Sequence, residues 1–268
     1  AGMRTAAAAL VVIALTATAV ATPGGRSAAA AFLSAFRSER FAVVTVDPRR
    51  VGEGLAGLER LGRVQGLGDT EPRIVSSLDA ATRVAGFAPA ALDAGSLPGT
   101  VTGPPSITAL PSHTVRVTFS RERAPQLPLR LDGAVLIVEV PAVVVQTWGG
   151  DGEAPGLVVA EAEQVTARTR GVSLDVLRDD LLALGDLPPE TVAQLRAIDD
   201  WRTTLPIPVP VDDVRWSPAT IAGGPGLLFG DESGLASAAL WQRDGRIHGV
   251  GGMLPATEVR RLADVIGG

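Results

Sequence analysis

The chain carries two histidines, His113 and His248, and no cysteine. A zinc site draws three or four ligands from His, Cys or carboxylate, so two distant imidazoles argue against one. Each is expected as a partly exposed sheet residue, His113 at a strand entrance and His248 in a hairpin arm. Carboxylates occur as neighbours at Asp179–Asp180, Asp199–Asp200 and Asp212–Asp213. Adjacent helical positions project about 100° apart, so the first two pairs do not converge on one substrate and are expected on solvated faces or at helix ends. A nucleophile elbow needs G-x-S-x-G; GDESG at 230–234 has the wrong spacing, and Ser233 is expected in a turn. Gly223–Gly224 and Gly249, Gly251 and Gly252 do not precede a helix after a parallel strand, the context a phosphate cradle needs. GDGE at 150–153 lacks the ligand ladder of an EF-hand. No catalytic, cofactor-binding or metal residue is assigned, binding residues stay unknown, and no cofactor is expected.

Four tryptophans stand at element ends: Trp148, Trp201, Trp216 and Trp241. Most are expected in the core or at its edge, and one or two could border a hydrophobic groove, since Trp is enriched at binding surfaces.

Composition narrows the function classes further. Of 268 residues, 46% are apolar, which suits a packed core and not disorder. Lys, Asn and Tyr are absent, so every basic side chain is Arg, and the net charge is −5. The missing types share A/T-rich codons, which points to a high-GC bacterial genome. The arginines look scattered along the chain, without a basic stripe, so nucleic acid is not an expected partner. Without disulfides, an exported chain depends on burial for stability.

Residues 6–21, AAAALVVIALTATAVA, form an uncharged apolar run behind Arg4. At about 1.5 Å per residue it would reach roughly 24 Å as a helix, short of the about 20 residues that span a bilayer core. It suits an uncleaved membrane anchor or, with small residues at Ala17, Ala19 and Ala21, a cleaved secretory signal. Either would place the body outside the cytoplasm.

The elements that must position everything else follow in order. Residues 27–40 are expected as an amphipathic continuation of the apolar run or as a free-standing linker helix, with Phe32, Leu33 and Phe36 on one face. A strand is expected at 41–46, a weak helix at 51–61, a strand at 63–66 and a helix at 76–85 behind a Ser77 cap. Residues 88–111, with Pro98–Gly99 and Pro104–Pro105, predict loop or extended edge. Alternation over 114–120, then AVLIVEV, AVVVQTW and LVVAEAEQVTART, predicts an antiparallel meander of four strands. Two helices follow, one capped by Ser173 and one opened by Pro188–Pro189. LPIPVPV predicts an extended, polyproline-like connector. Asp244–Gly245 predicts a hairpin turn, and 254–266 a closing helix.

Three of these stretches carry a resemblance. LWQRDGRIHGVGG with TEVRRLADVIGG resembles the tail of the bacterial family called domain of unknown function 4367. SLDAATRVAGFAPA, with the Leu97–Pro98 pair, is similar to its opening helix and loop. LRDDLLALGDLPPETVAQLRAIDDWRTTLPIPVP looks like the linking segment of its long members. The likeness covers roughly 75–268 and rests on turns and caps. It implies the extracytoplasmic part of a membrane-anchored protein, in some members associated with sigma-factor control. The His and Cys cluster of the cytoplasmic zinc-binding segment in such regulators is not in this sequence.

The expected fold is α+β: a mostly antiparallel β-sheet with helices on one face, plus an N-terminal apolar helix. Its specific version is a curved half-barrel of the kind found in bacterial lipoprotein carriers. Three segments are expected: 1–26, membrane anchor or signal; 27–110, a helix–strand–helix region with a Pro/Gly-rich loop; and 111–268, an antiparallel sheet with a helix pair and a C-terminal hairpin and helix. The expected function is a non-catalytic, membrane-anchored extracytoplasmic sensing or interaction domain; the alternative is a carrier or binder of a hydrophobic ligand such as a lipid or lipoprotein. Expected partners are the membrane, through the N-terminal helix, and a protein or hydrophobic ligand.

Overall fold

The computed structural model describes residues 40–46, 58–66, 70–149, 155–185, 187–201, 203–210, 214–230 and 234–267. The expected leader helix, its continuation to residue 39 and most of the helix expected at 51–61 lie outside the described residues.

The fold is α+β and mostly antiparallel, and three bent strands organise it. Strand β4 (Thr102–Leu110) leads into β5 (His113–Phe119), β6 (Val135–Val140) into β7 (Val143–Gly149), and β8 (Leu157–Glu163) into β9 (Thr166–Arg170). At each corner two residues intervene: Pro111–Ser112, Pro141–Ala142 and Gln164–Val165. Proline has no N–H to give a ladder, so two of the three breaks fall where pairing must stop. Strands β4, β7 and β8 join one sheet, and β5, β6 and β9 another. LVVAEAEQVTART is thus two strands in two sheets, where a single strand was expected.

The corners also shift the alternation of faces by one. Inward residues run Val138, Val140, then Val143, Val145; likewise Ala160, Ala162, then Val165, Ala167. One extra residue per corner, as in a bulge, turns the strand without exposing its apolar side.

Strand β2 (Gly62–Gln65) completes the smaller sheet, in the order β2-β5-β6-β9. The larger sheet adds β3 (Arg73–Val75) beside β4 at one edge. Beyond β8 come β14 (Arg246–Gly252), β13 (Ser237–Arg243), β12 (Gly224–Gly230) and β11 (Arg215–Ile221). Asp244 (φ 50°) and Gly245 (φ 76°) turn β13 into β14 as expected, and Ala222 (φ 48°) and Gly223 (φ 78°) make a second left-handed turn between β11 and β12. The edge expected over 88–111 is a true strand from Thr102. Its prolines sit in a register shift between Thr102 and Ser106, where no ladder donor is needed.

Helices pack on one face of the larger sheet, and a strand ribbon covers the other. On one face, α1 (Leu78–Ala85) sets Ala81 and Ala85 against Ile107, Ala109 and Val144. On the same face, α4 (Ala256–Gly267) sets Val259, Leu262 and Ala263 against Trp148, Leu157, Val159, Trp241 and Val250. The opposite face carries a two-stranded parallel ribbon of β1 (Arg40–Val46) and β10 (Thr204–Pro210). Leu205, Ile207 and Val209 press on Val158, Ala160, Leu240 and Ile247. Beyond the ribbon, α2 (Leu174–Ala183) and α3 (Pro189–Arg196) close over Val44 through Leu182 and Leu195. Central strands buried on both faces read as continuous apolar runs, which is why AVVVQT and LVVAEA barely alternate.

The stretch expected as a polyproline connector is therefore a strand. Its prolines alternate, so beyond Thr204 donors remain only at Leu205, Ile207 and Val209, enough for pairing along one edge. Pro206 and Pro208 leave the other edge without N–H groups at those positions, which discourages a further strand there. Strands from 27–110 and from 111–268 share both the ribbon and the larger sheet.

Candidate functional site

The most polar buried point of the larger sheet lies on its α1/α4 face. Three neighbouring strands place Trp241, His248 and Glu161 opposite one another in register, on β13, β14 and β8. Gln146 projects from β7 on the same face, since it alternates with Val144 and Trp148. Glu161 is 3% exposed, Gln146 2% and His248 8%, and Trp241 is fully buried.

These side chains hold the segment that links α1 to β4. The backbone N–H of Ala90 donates to Glu161 Oε2 at 2.6 Å. Gln146 Nε2 donates to the Ala90 carbonyl at 2.8 Å. One peptide position is thus gripped on both its donor and its acceptor. Arg246 adds a bond from Nη1 to the Ala88 carbonyl, 3.1 Å, and lies 4.8 Å over the Phe87 ring. Farther along, Arg261 of α4 donates from Nη2 to the Ser96 carbonyl at 2.8 Å. The segment 87–97 is therefore a strap across the sheet, tied at both ends.

Glu161 Oε1 lies 3.3 Å from His248 Nδ1, an ion pair when the imidazole is protonated. The His248 ring stacks on Trp241 with centroids 5.3 Å apart and planes 14° apart. The Trp241 indole N–H has no hydrogen-bond partner among the described residues. It points toward the C-terminal end of α4, where a Cβ on Gly267 would come within 3.6 Å of it.

Chemically, a carboxylate beside an imidazole is half of an acid–base relay. Here Glu161 has one oxygen bonded to the strap and the other within ion-pairing distance of His248 Nδ1, which makes no hydrogen bond among the described residues. In this conformation the cluster fastens backbone, and a reacting group would reach it only with the strap displaced.

The other candidates separate. His248 is a buried, carboxylate-paired residue, where partial exposure was expected; the expected hairpin places it, but the strap that covers it comes from far away in sequence. His113 opens β5 and is half-buried. Asp179 is exposed beside Arg178, as expected of a solvated face. Asp180 is 6% exposed and takes two bonds from Arg130, one from Nε at 2.7 Å, which corrects the expectation of a solvated carboxylate. The Leu129–Leu131 turn brings that guanidinium down on α2. Asp200 accepts from Thr203 Oγ1 at 2.8 Å. Asp212, Asp213, Ser233 and the GDGE stretch lie outside the described residues. Trp148 and Trp241 are core; Trp201 donates to the Leu195 carbonyl at 2.9 Å, and Trp216 is 41% exposed.

Glu161 and Gln146 were not singled out from sequence. A signal existed: each interrupts an otherwise apolar strand, LVVAEA and AVVVQT, at a position facing a helix-covered surface. No group of three or more metal-ligating side chains gathers among the described residues. No family model, no curated protein and no solved structure matches this chain.

Proposed function

We propose that the chain is a non-catalytic interaction domain that acts outside the cytoplasm, tethered to the membrane by its apolar run at 6–21. One observation carries the preference for interaction over cargo transport. In a half-barrel carrier, the sheet's inner face would be open to a hydrophobic ligand. Here that face of the larger sheet is covered by the chain's own β1–β10 ribbon, whose Leu205 and Val209 are fully buried. Burying a side chain of this kind contributes about 1.5–3 kcal/mol, and a cargo would first have to displace several.

The tether is carried by sequence, because no helix among the described residues is long and apolar enough to cross a membrane. The resemblance to the family of unknown function rests on the quoted turn and cap residues alone, and agrees with a tethered extracytoplasmic body.

Two measurements on the full chain test the proposal. In a bacterial host, the chain should stay with membranes through an alkaline carbonate wash, and its body should be cut by protease added to spheroplasts. Recovery of an intact leader in the cytosol would refute the tether. Organic extraction of the purified chain should yield no stoichiometric lipid; recovery of one lipid per chain would favour the carrier.

A further inference from the structure

We propose that the outer face of the smaller sheet docks on a surface of anionic phospholipid headgroups. The arginines that look scattered in sequence are gathered there. Outward residues lie in register across four strands: Arg63, Thr118, Val135, Arg170 in one row, and Gln65, Arg116, Ile137, Arg168 in the next. A third row holds Thr114, Glu139 and Thr166. Four guanidiniums thus share one face with a single carboxylate, on a chain whose net charge is −5.

Their state distinguishes this face from an ordinary salt-bridged one. Glu139 pairs with Arg168 at 3.0 Å and accepts from Thr114. Arg63, Arg116 and Arg170 make no ion pair among the described residues. Arg63, Arg168 and Arg170 are exposed, and Arg116 is half-buried. Ile137, between Arg116 and Arg168 in register, is fully buried, as expected where long arginine stems flank a central strand. The helices α1 to α4 pack elsewhere: α1 and α4 on the larger sheet, α2 on the inner side of this one, and α3 on the ribbon. Just before β2, Glu59 and Arg60 are both exposed and offset each other.

Geometry favours a lipid surface over other polyanions. Strands lie about 4.8 Å apart, so Arg116 and Arg168 stand roughly 10 Å apart across two strand spacings, and Arg63 and Arg170 roughly 14 Å across three. A sheet face meets a plane of phosphates with all four at once. Among the described residues in these rows none is aromatic, so none can stack a base, and the acidic body would repel a long polyanion wrapped around it. The eighteen positions between the apolar run and Arg40 span at most about 60 Å, so a tethered body is always within reach of the bilayer. To that extent the inference rests on the proposed tether, although the face itself does not.

The chain has no cysteine, so single-cysteine labels report cleanly. The full chain is labelled with an environment-sensitive fluorophore at Thr166→Cys on this face, or at Thr257→Cys, exposed on α4, as the control. It is reconstituted in vesicles of phosphatidylcholine, alone or with one third phosphatidylglycerol. The label at 166 should brighten and shift to the blue only with phosphatidylglycerol, high salt should reverse this, and the label at 257 should not respond. Each arginine near an anionic surface contributes about fivefold to partition. Arg63→Gln/Arg168→Gln/Arg170→Gln should therefore cut the docked-to-free ratio about a hundredfold, with an unchanged circular dichroism spectrum. No response to phosphatidylglycerol, an equal response in phosphatidylcholine, or a stronger response to heparin without vesicles would each overturn the proposal. A chain that alkaline carbonate strips from vesicles but whose label still answers phosphatidylglycerol would sink the tether alone.

Discussion

Removing the Glu161 carboxylate should release the 87–97 strap before it loosens the sheet beneath. Glu161→Ala leaves the Ala90 N–H without the acceptor now 2.6 Å away, and leaves His248 without its only close carboxylate among the described residues. A hydrogen bond to a charged group contributes about 1.5–3 kcal/mol. Gln146 keeps its 2.8 Å bond to the Ala90 carbonyl, so the strap is weakened and not cut loose. The expected loss is about 2–3 kcal/mol, read as a fall in thermal midpoint of roughly 4–10 °C for a body of this size. Glu161→Gln can still accept from Ala90 and should lose only about 1 kcal/mol. Urea unfolding gives the global term, and amide hydrogen exchange resolved by residue gives the local one. Exchange should accelerate first at Ala90 and its neighbours, with the β7 and β8 amides trailing. If Glu161→Ala unfolds within about 0.5 kcal/mol of the parent, or if exchange rises equally across the sheet, the clasp does not hold the strap.

Three further outcomes follow from other parts of the fold. Arg130→Ala leaves the nearly buried Asp180 carboxylate unpaired, so it should lower the urea midpoint more than Arg130→Ala/Asp180→Ala does; the reverse order would refute a burial penalty at Asp180. Pro206→Ala/Pro208→Ala restores two N–H groups to the edge of β10 that pairs with no other strand among the described residues and should raise self-association, seen by light scattering after gel filtration; a strictly unchanged mass would refute the edge-blunting role. Ala222 sits at φ 48°, where a Cβ is strained, so Ala222→Gly should gain about 0.5–1 kcal/mol in urea unfolding, and a loss would show that Ala222 packing against the α4 cluster matters more.

The strands, caps and hairpin were largely legible because they depend on local chemistry. Ser77 and Ser173 accept from the helix N–H groups three positions on, and Asp244–Gly245 supplies the two left-handed residues its turn needs. What was not legible depended on distant partners. Nothing near LPIPVP announces a parallel mate at Arg40–Val46, because a two-strand parallel pair leaves no turn signal between its members. Nothing local to VVAEAEQVTART marks Gln164–Val165 as a corner between sheets. The arginine face was half visible: Arg168 and Arg170 stand two apart on one strand, but Arg63 and Arg116 join them only through register. The Glu161–His248 pair needed the same long-range register, plus a strap contributed from Ala90.

The ribbon also sets a timetable. Arg40 finds its mate at Thr204, 164 positions downstream. At about 5–20 residues per second of synthesis, the opening strand waits roughly 10–30 s for it. During that interval Phe41 and Val43 have no wall to lean on, and the neighbouring β-sheet has an uncovered oily side. A nascent chain halted anywhere before β10 should therefore be a client for holding chaperones, and the body should lock only after β10 has been made, in one late step.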